Sequence, residues 1–287
     1  MISNTCRVVT LLFLTSFSIT SLSKEPDALV IYSKYSFDKY PIYAKVLGGI
    51  ERKLSITKVE VTDESNIRSI LDARNPRRII VLGKSIADEV AKTNHKDKMI
   101  VGLTYFQNSN YYGVNMALDA QVVAKKLSEL LPSIKRIEVI QQDGFKTINN
   151  DDSKKIGQLE FNSVTDPLDV IRMTSKIIDE ADQSTAVIVP PNILANLIFE
   201  MSKVAWERKV VLISTNLNHL DSGILMVIFP DEEKMGESIG ALFTNPSLSA
   251  EDTIHVKVGV NKRTAQHLSQ DFSKKQLGEM SVIINDN

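Results

Sequence analysis

The chain has 287 residues, with 34 Lys and Arg against 35 Asp and Glu, which gives a formal net charge of −1. This length builds one large domain or two ordinary ones, and the near-neutral charge offers no electrostatic footprint for nucleic acid. The single cysteine, Cys6, excludes an intramolecular disulfide, a zinc ribbon and a Cys–Cys redox pair.

Residues 1–23 have the layout of a secretory signal peptide. Arg7 and the amino terminus supply positive charge, residues 8–22 are uncharged and largely apolar, and Ser21 and Ser23 form a small-x-small end. The alternative is a buried helix or a membrane anchor, but a span needs about 20 apolar residues and this run is shorter. We therefore predict cleavage after Ser23 and export, which leaves a mature chain without cysteine, as suits an oxidising compartment.

From residue 28 onwards, short apolar runs alternate with amphipathic runs. The apolar runs predict strands over 28–32, 56–61, 78–82 and 99–103. Helical spacing of apolar residues predicts helices over 41–53, 64–73 and 84–93. A stretch between Tyr105 and Met116, rich in Asn, Ser, Tyr and Gly, then separates this series from a second one.

The second series repeats the alternation. It predicts helices over 116–131, 167–181, 192–207, 231–243 and 262–268, strands over 136–140, 156–161, 186–189, 210–213, 224–229 and 254–258, and a terminal apolar piece over 281–284. Strands that alternate with helices imply right-handed βαβ units and parallel sheets. About eleven strands are many for one sheet, so the pattern predicts an α/β protein with two doubly wound sheets.

The common motifs of enzyme and cofactor chemistry are absent from the sequence. Gly83-Lys84-Ser85 resembles the end of a phosphate loop, but the glycine required at position 78 is Arg78. No G-x-S-x-G motif occurs, and the predicted mature chain has no thiol nucleophile. The histidines show no metal-ligand spacing and are predicted at surface or turn positions: His95, His219, His255 and His267. We therefore predict no catalytic residue, no metal ligand and no cofactor.

The seven tyrosines all lie between residues 32 and 112, several of them just past the first and fourth predicted strands. Ligands of doubly wound sheets bind beyond the carboxyl ends of the strands, where aromatic rings offer a flat apolar face with a polar tip. Ordinary packing of aromatic side chains where two lobes meet explains the pattern equally well.

The whole predicted mature chain resembles the substrate-binding proteins of ABC transporters of the tryptophan/tyrosine-binding type, a branch of the type 1 periplasmic binding fold. The C-terminal third carries this resemblance, through Pro190-Pro191-Asn192 after a strand and the residues 233–240, which read EKMGESIG. Val260-Asn261 and Thr264-Ala265 look like the family's late Val-Asn-x-x-Thr-Ala signature. In the early part the layout agrees but the motifs do not.

The resemblance implies two α/β lobes joined by three crossovers. Lobe one would comprise residues 24–113 and 221–250, and lobe two residues 114–220 and 251–287. A small molecule, for instance an amino acid, would bind between them in the periplasm, and closure of the lobes would signal occupancy to a membrane permease. The alternative is a sensory module that reports to a membrane signalling protein. A secreted α/β enzyme is disfavoured because no nucleophile–base pair is visible. We expect a monomer.

In such a fold, the carboxyl ends of the strands face one another across the gap. The residues predicted there are Ser33, Tyr35, Gly83, Lys84, Ser85, Thr104 and Tyr105 from lobe one, and Gln142, Asp143, Pro191, Asn192, Thr215 and Asn216 from lobe two. Lys84 and Asp143 would suit the carboxylate and the ammonium group of a zwitterion. The alternative is that these two side chains pair with each other or with solvent, which leaves a cleft for a neutral ligand or for none.

Overall fold

A computed structural model describes residues 28–106, 111–143, 145–249 and 251–284. The predicted signal peptide lies outside the described residues. The strands are β1 (Ala28–Ser33), β2 (Ile56–Val61), β3 (Ile79–Leu82), β4 (Met99–Gly102), β5 (Val114–Asp119), β6 (Arg136–Gln142), β7 (Ile148–Asn149), β8 (Lys155–Ile156), β9 (Leu159–Val164), β10 (Thr185–Val189), β11 (Val211–Ser214), β12 (Met226–Pro230), β13 (Glu251–Thr253), β14 (Val256–Asn261) and β15 (Val282–Ile284).

The helices alternate with these strands over most of the chain. They are α1 (Lys34–Lys39), α2 (Ile42–Glu51), α3 (Ile67–Arg74), α4 (Lys84–Ala91), α5 (Ala120–Leu130), α6 (Pro167–Glu180), α7 (Ala195–Arg208), α8 (Glu232–Thr244), α9 (Lys262–His267) and α10 (Lys274–Glu279). The predicted strands and helices of the first series are confirmed. The short helices α1 and α10 were not predicted, because six residues carry too little periodicity to stand out.

The first lobe is built on a parallel four-stranded sheet with the order β2-β1-β3-β4. Strands β1, β3 and β4 are nearly continuous apolar runs because both faces are covered, one by α2 and α8 and the other by α3 and α4. The edge strand β2, which reads ITKVEV, alternates apolar and polar residues over most of its length. The sheet thus becomes the middle layer of a sandwich with two separate apolar clusters.

The second lobe contains an eight-stranded sheet with the order β15-β14-β12-β11-β10-β6-β9-β8. Only the β12–β14 and β8–β9 pairs are antiparallel. The predicted strand over 156–161 is two strands, which turn at Gly157 with a φ of +57°. Helices α5 and α9 cover one face of this sheet, and α6 and α7 cover the other.

One predicted helix, over 116–131, is wrong in its first part. Residues 114–119 form β5, which pairs with β13 and β7 in a small third sheet. The helix begins only at Ala120, where the Asp119 side chain accepts the backbone N–H of Val122 at 2.9 Å and caps the helix. Pairing with a strand more than 130 residues away thus overrides local helical spacing.

The segment 221–250 divides between the lobes at Pro230. The prediction assigned all of it to lobe one, but β12 lies inside the eight-stranded sheet between β11 and β14. Only α8 packs on the first lobe, with Met235 and Ile239 in the same apolar cluster as Val46 and Ile50 of α2. Lobe one is therefore completed by a helix that comes from the last quarter of the chain.

Helices α2 and α8 cross with their backbones in contact. A Cβ atom at Gly236 would overlap the carbonyl oxygen of Val46, and a Cβ atom at Gly49 would overlap that of Glu233. Glycine is therefore required on both helices at this crossing.

Candidate functional site

The carboxyl ends of β1, β3 and β4 form the edge of the first lobe that carries its predicted site residues. The Ser33 hydroxyl accepts the backbone N–H of Ser36 at 3.4 Å and starts α1. Gly83 begins α4 with a φ of +97°, and a side chain there would overlap the Tyr43 hydroxyl. Its N–H donates to the carbonyl oxygen of Gly102 at 2.9 Å, which ties the ends of β3 and β4 together.

The cation predicted on this edge, Lys84, already has a partner on its own helix. Its Nζ lies 2.6 Å from Oδ2 of Asp88, and its side chain is 65% exposed. The Tyr111 hydroxyl donates to Oδ1 of the same carboxylate at 2.5 Å. Burial raises the pKa of Asp88, but the hydrogen bonds from Lys84 and Tyr111 outweigh it, so that this pKa lies below its ordinary value. The Lys84 charge is thus balanced within one helical turn.

Two other predicted residues of this lobe point to solvent. Tyr35 is 67% exposed, and the Nζ of Lys39 donates to its hydroxyl at 3.2 Å. Ser85 is exposed on the first turn of α4.

On the second lobe, the predicted residues follow β6, β10 and β11, which are neighbours in the sheet. Asp143 is exposed, and its Oδ2 accepts the Thr165 hydroxyl at 3.1 Å, whereas Asn192 is exposed without such a bond among the described residues. The Asn216 side chain donates from Nδ2 to the carbonyl oxygen of Pro191 at 2.8 Å, so two of the three loops are joined directly.

A buried serine–histidine pair lies directly beneath these loops. The Ser214 Oγ is 2.9 Å from Nδ1 of His219, and the opposite ring nitrogen, Nε2, is 3.0 Å from the carbonyl oxygen of Ile193. Because a carbonyl oxygen only accepts, Nε2 carries the proton and Nδ1 accepts the serine hydroxyl. Burial lowers the pKa of His219, and its hydrogen bond to Ile193 offsets only part of that. The ring is therefore neutral at pH 7.

This pair was not predicted. The expectation of surface or turn histidines is wrong for His219, which is 2% exposed within a 3-10 helix, whereas the equally buried His95 does lie in a turn. With Ser214 fully buried, the pair has no access to a substrate. It braces the loops instead. The sequence signal was weak, since a serine and a histidine five residues apart are not a motif.

The two lobes meet through two aromatic rings. Tyr105 follows β4 in the first lobe, and its ring centroid lies 4.8 Å from that of Phe145, edge to face. Phe145 follows β6 in the second lobe, and its N–H donates to the carbonyl oxygen of Gln142 at 3.0 Å. Burial raises the pKa of Tyr105 to about 12, so the phenol stays neutral. Next to it, Thr104 is buried and its carbonyl oxygen accepts the N–H of Met116 at 3.0 Å.

Phe145 was not among the predicted site residues. It follows the predicted strand 136–140 closely, and the argument that selected Tyr105 past the fourth strand would have selected it as well. The structure thus brings together Thr104, Tyr105 and the β6 end, and leaves Tyr35, Lys84 and Ser85 in solvent-exposed positions on the rim.

Within the described ranges, no three His, Cys, Asp or Glu side chains are grouped so that they could hold a metal ion. Among the same residues, no helix combines the length and the apolar character needed to cross a bilayer.

Comparison with solved structures identifies the architecture. A substrate binding protein with adhesive properties from Clostridium difficile, in a ligand-free, open structure, has a TM-score of 0.61 and 16% identity, covering 91% of this chain and 100% of its own. The ABC domain from Streptococcus pneumoniae in complex with L-Trp has a TM-score of 0.54 and 15% identity, and a conserved domain protein from Vibrio cholerae has 0.52 and 15%. For each of these two, the match covers 90% of this chain and 100% of the other.

The chain has the type 1 periplasmic binding fold. No protein-family model and no curated protein matches the sequence. At 15–16% identity the likeness shows the fold alone. The predicted two-lobed α/β architecture is therefore confirmed, whereas membership of the tryptophan/tyrosine-binding family stays a prediction.

Proposed function

We propose that this protein is a solute-binding protein, which captures a small molecule between its two lobes. The observation that carries the proposal is the Tyr105–Phe145 ring contact, because it joins the carboxyl ends of the two sheets. Ligands of open α/β sheets bind beyond these ends. Two neighbours of the same fold support the proposal, one named a substrate binding protein and the other solved with L-Trp.

The crossover between the lobes at residues 230–232 suits a protein that opens and closes. The chain leaves the second sheet at Pro230 and starts α8 of the first lobe at Glu232. There Glu232 lies 3.0 Å from Nζ of Lys45 in the first lobe and 3.1 Å from Nζ of Lys257 in the second. A carboxylate thus bridges the lobes at a crossover, while the aromatic rings meet at the ends of the sheets. A ligand that binds the closed arrangement better would shift the population towards it.

The proposal extends to export and to the partner. Residues 1–23 would be removed on export to the periplasm, and the loaded protein would deliver its ligand unchanged to an ABC permease. Mass spectrometry of the periplasmic fraction should find a chain that begins near Lys24. A ligand recovered in modified form after incubation with excess protein would contradict a purely binding role, and capture of a membrane receptor rather than a permease would favour sensing.

The direct test is a thermal-shift screen of the purified protein with amino acids, purines, sugars and carboxylates. A ligand that binds only the folded state stabilises it by about 2.7 kcal/mol at one hundred times its Kd. We expect at least one compound class to raise the melting temperature, and Phe145→Leu to weaken that shift. Phe199→Leu is the control, because Phe199 is an exposed ring on α7 that packs under Lys203. A flat response to every class would contradict the proposal.

A further inference from the structure

Two polar side chains of the second lobe lie at the carboxyl end of the same sheet. Ile188 of β10 pairs in register with Val139 of β6 and with Ile213 of β11. These three residues belong to one apolar cluster and so face the same side. Because side chains alternate along a strand, Gln141, two residues further along β6, again faces that side. Thr215 directly follows the last residue of β11. Gln141 and Thr215 therefore form one row at the carboxyl end of the sheet, with β10 between them.

The polar atoms of this row are buried and uncommitted. Gln141 is 2% exposed, and neither its Oε1 nor its Nε2 has a hydrogen-bond partner among the described residues. The same is true of the buried Oγ1 of Thr215. Buried side-chain amides and hydroxyls nearly always have partners, since leaving them unpaired costs free energy. An unpaired amide at the ligand-binding end of a sheet is therefore a candidate recognition group.

The row lies where the two lobes meet. Gln141 directly precedes Gln142, whose carbonyl oxygen accepts the N–H of Phe145, and Phe145 contacts Tyr105 of the other lobe. Strands two places apart in a sheet are separated by about 10 Å. One small planar molecule with polar groups on its edge can span that distance between two side chains.

The charged groups at the same edges are exposed to solvent and already hydrogen-bonded. Lys84 pairs with Asp88, and Asp143 accepts from Thr165, and both side chains are exposed. The groups without a partner are thus the Gln141 carboxamide and the Thr215 hydroxyl. The carboxamide offers one acceptor oxygen and two donor hydrogens, and the hydroxyl can donate or accept a hydrogen bond. Neither brings a charge to balance that of a buried ion.

We propose that Gln141, together with Thr215, recognises a neutral ligand through an edge that carries a hydrogen-bond donor beside an acceptor, as in a carboxamide or a nucleobase. This inference rests on the proposed solute-binding function. Sequence patterns did not single out Gln141. In this proposal, the hydrogen bonds of its side chain with the ligand decide which class of ligand binds. A site built to pair with such an edge discriminates strongly against analogues that lack it.

The test includes one pair of probes that differ in this edge alone. Nicotinamide and nicotinate share a ring but differ in carrying a neutral amide or a carboxylate, and uracil and adenine supply nucleobase edges. L-Trp is the zwitterionic comparison. Affinities are measured by calorimetry on the wild-type protein, on Gln141→Met, which keeps an unbranched side chain of similar length, and on Thr215→Val. We expect at least one neutral probe to bind, at least tenfold better than nicotinate.

Gln141→Met should then weaken that probe at least tenfold, and Thr215→Val about threefold or more. Ser202→Ala is the matched control, because Ser202 Oγ is also buried and unpartnered among the described residues but lies on α7 against Gly223. It should leave affinity unchanged. If Gln141→Met does not fold, Gln141→Asn replaces it, since a shortened amide loses reach while its chemistry is kept.

Two results would overturn the inference: no neutral probe binds, or every neutral probe that binds has the same affinity for Gln141→Met as for wild type, whatever the change in melting temperature. If, in either case, L-Trp or another compound of the wider screen binds the wild-type protein, the inference fails but the solute-binding function stands. If no compound of any class binds, both fail.

Discussion

At the carboxyl end of the first sheet, the predicted site residues Ser33 and Lys84 find partners within a helical turn, whereas at the second sheet Asn216 and His219 bond between separate loops. Ser33 bonds to Ser36, and Lys84 bonds to Asp88. In the second lobe, Asn216 reaches Pro191 and His219 reaches Ile193, in each case about 25 residues away along the chain.

This difference indicates how the two edges contribute to a binding site. Local bonds between exposed groups rearrange at little cost. Bonds between buried groups on different loops fix the loops relative to the sheet, and preorganised polar groups bind with less loss of entropy. We therefore interpret the second lobe as the rigid recognition surface and the first as the adaptable one, joined to it by α8 and the crossover strands.

The strongest test of this contrast asks whether the first lobe depends on α8. Gly236→Ala places a methyl group against the backbone of Val46, and because neither helix backbone can yield easily, we expect a loss of about 3 kcal/mol in the free energy of unfolding. Urea denaturation measures it. Gly48→Ala is the control on the facing helix, where a Cβ meets nothing within 4 Å, and it should stabilise by about 0.5–1 kcal/mol. Equal effects of the two substitutions would show that the crossing is not tight.

The next largest effect is expected at the bridge between the lobes. Lys257 lies 3.1 Å from Glu232 and 3.2 Å from Asp231, and the Glu232 side chain is only 10% exposed. Lys257→Met leaves two carboxylates with less compensation, so we expect it to cost about 1–2 kcal/mol of unfolding free energy. Lys176→Met removes an exposed pair with Glu180 and should change stability by less than about 0.5 kcal/mol. If the two variants match, Glu232 does not link the lobes.

The rigid edge of the second lobe should make stability depend on pH. The pKa of buried His219 lies below its ordinary value, so below about pH 6.5 the unfolded chain binds a proton that the folded chain excludes. The contribution of the neutral ring to the free energy of unfolding is therefore complete above that pH. It is lost as the pH falls towards the pKa of His219 in the folded state. We expect His219→Gln to reduce the loss between pH 7 and pH 5 by about 1 kcal/mol, measured by urea denaturation. His255→Gln, at an exposed histidine, is the control, and an equal change in both variants would show that burial of His219 is not the cause.

The smallest effect is expected on the adaptable edge. Lys84→Ala removes one exposed ion pair with Asp88, which still accepts from Tyr111, so stability should change by less than about 0.5 kcal/mol. Ligand affinity should change by less than about threefold, because the Lys84 charge is already balanced. A tenfold or larger loss in calorimetry would restore Lys84 to the site and favour a zwitterionic ligand after all.

Local sequence patterns predicted the elements of the first lobe well because its strands are short apolar runs bounded by helix starts and breaks. They failed at β5, where Leu118 and Val122 are four residues apart, as on one face of a helix, although Leu118 lies in a strand. The partner of β5, β13, lies far away in the sequence, and no local pattern reports a pairing of that range. For the candidate site, the rule that ligands bind past strand ends selected Tyr105 and Thr215 but not Gln141, whose importance depends on strand register.

The sequence by itself determined that this is an α/β protein with two large, mainly parallel sheets, because alternating apolar runs and amphipathic helices permit few other arrangements. It also determined which residues follow each strand. Tertiary structure alone decided which lobe α8 completes, because that depends on a glycine–glycine crossing between helices far apart in the chain. It likewise decided that Lys84 and Asp143 are engaged while Gln141 and Thr215 are not, because hydrogen-bond partnership is set by distance and burial, which sequence spacing does not fix.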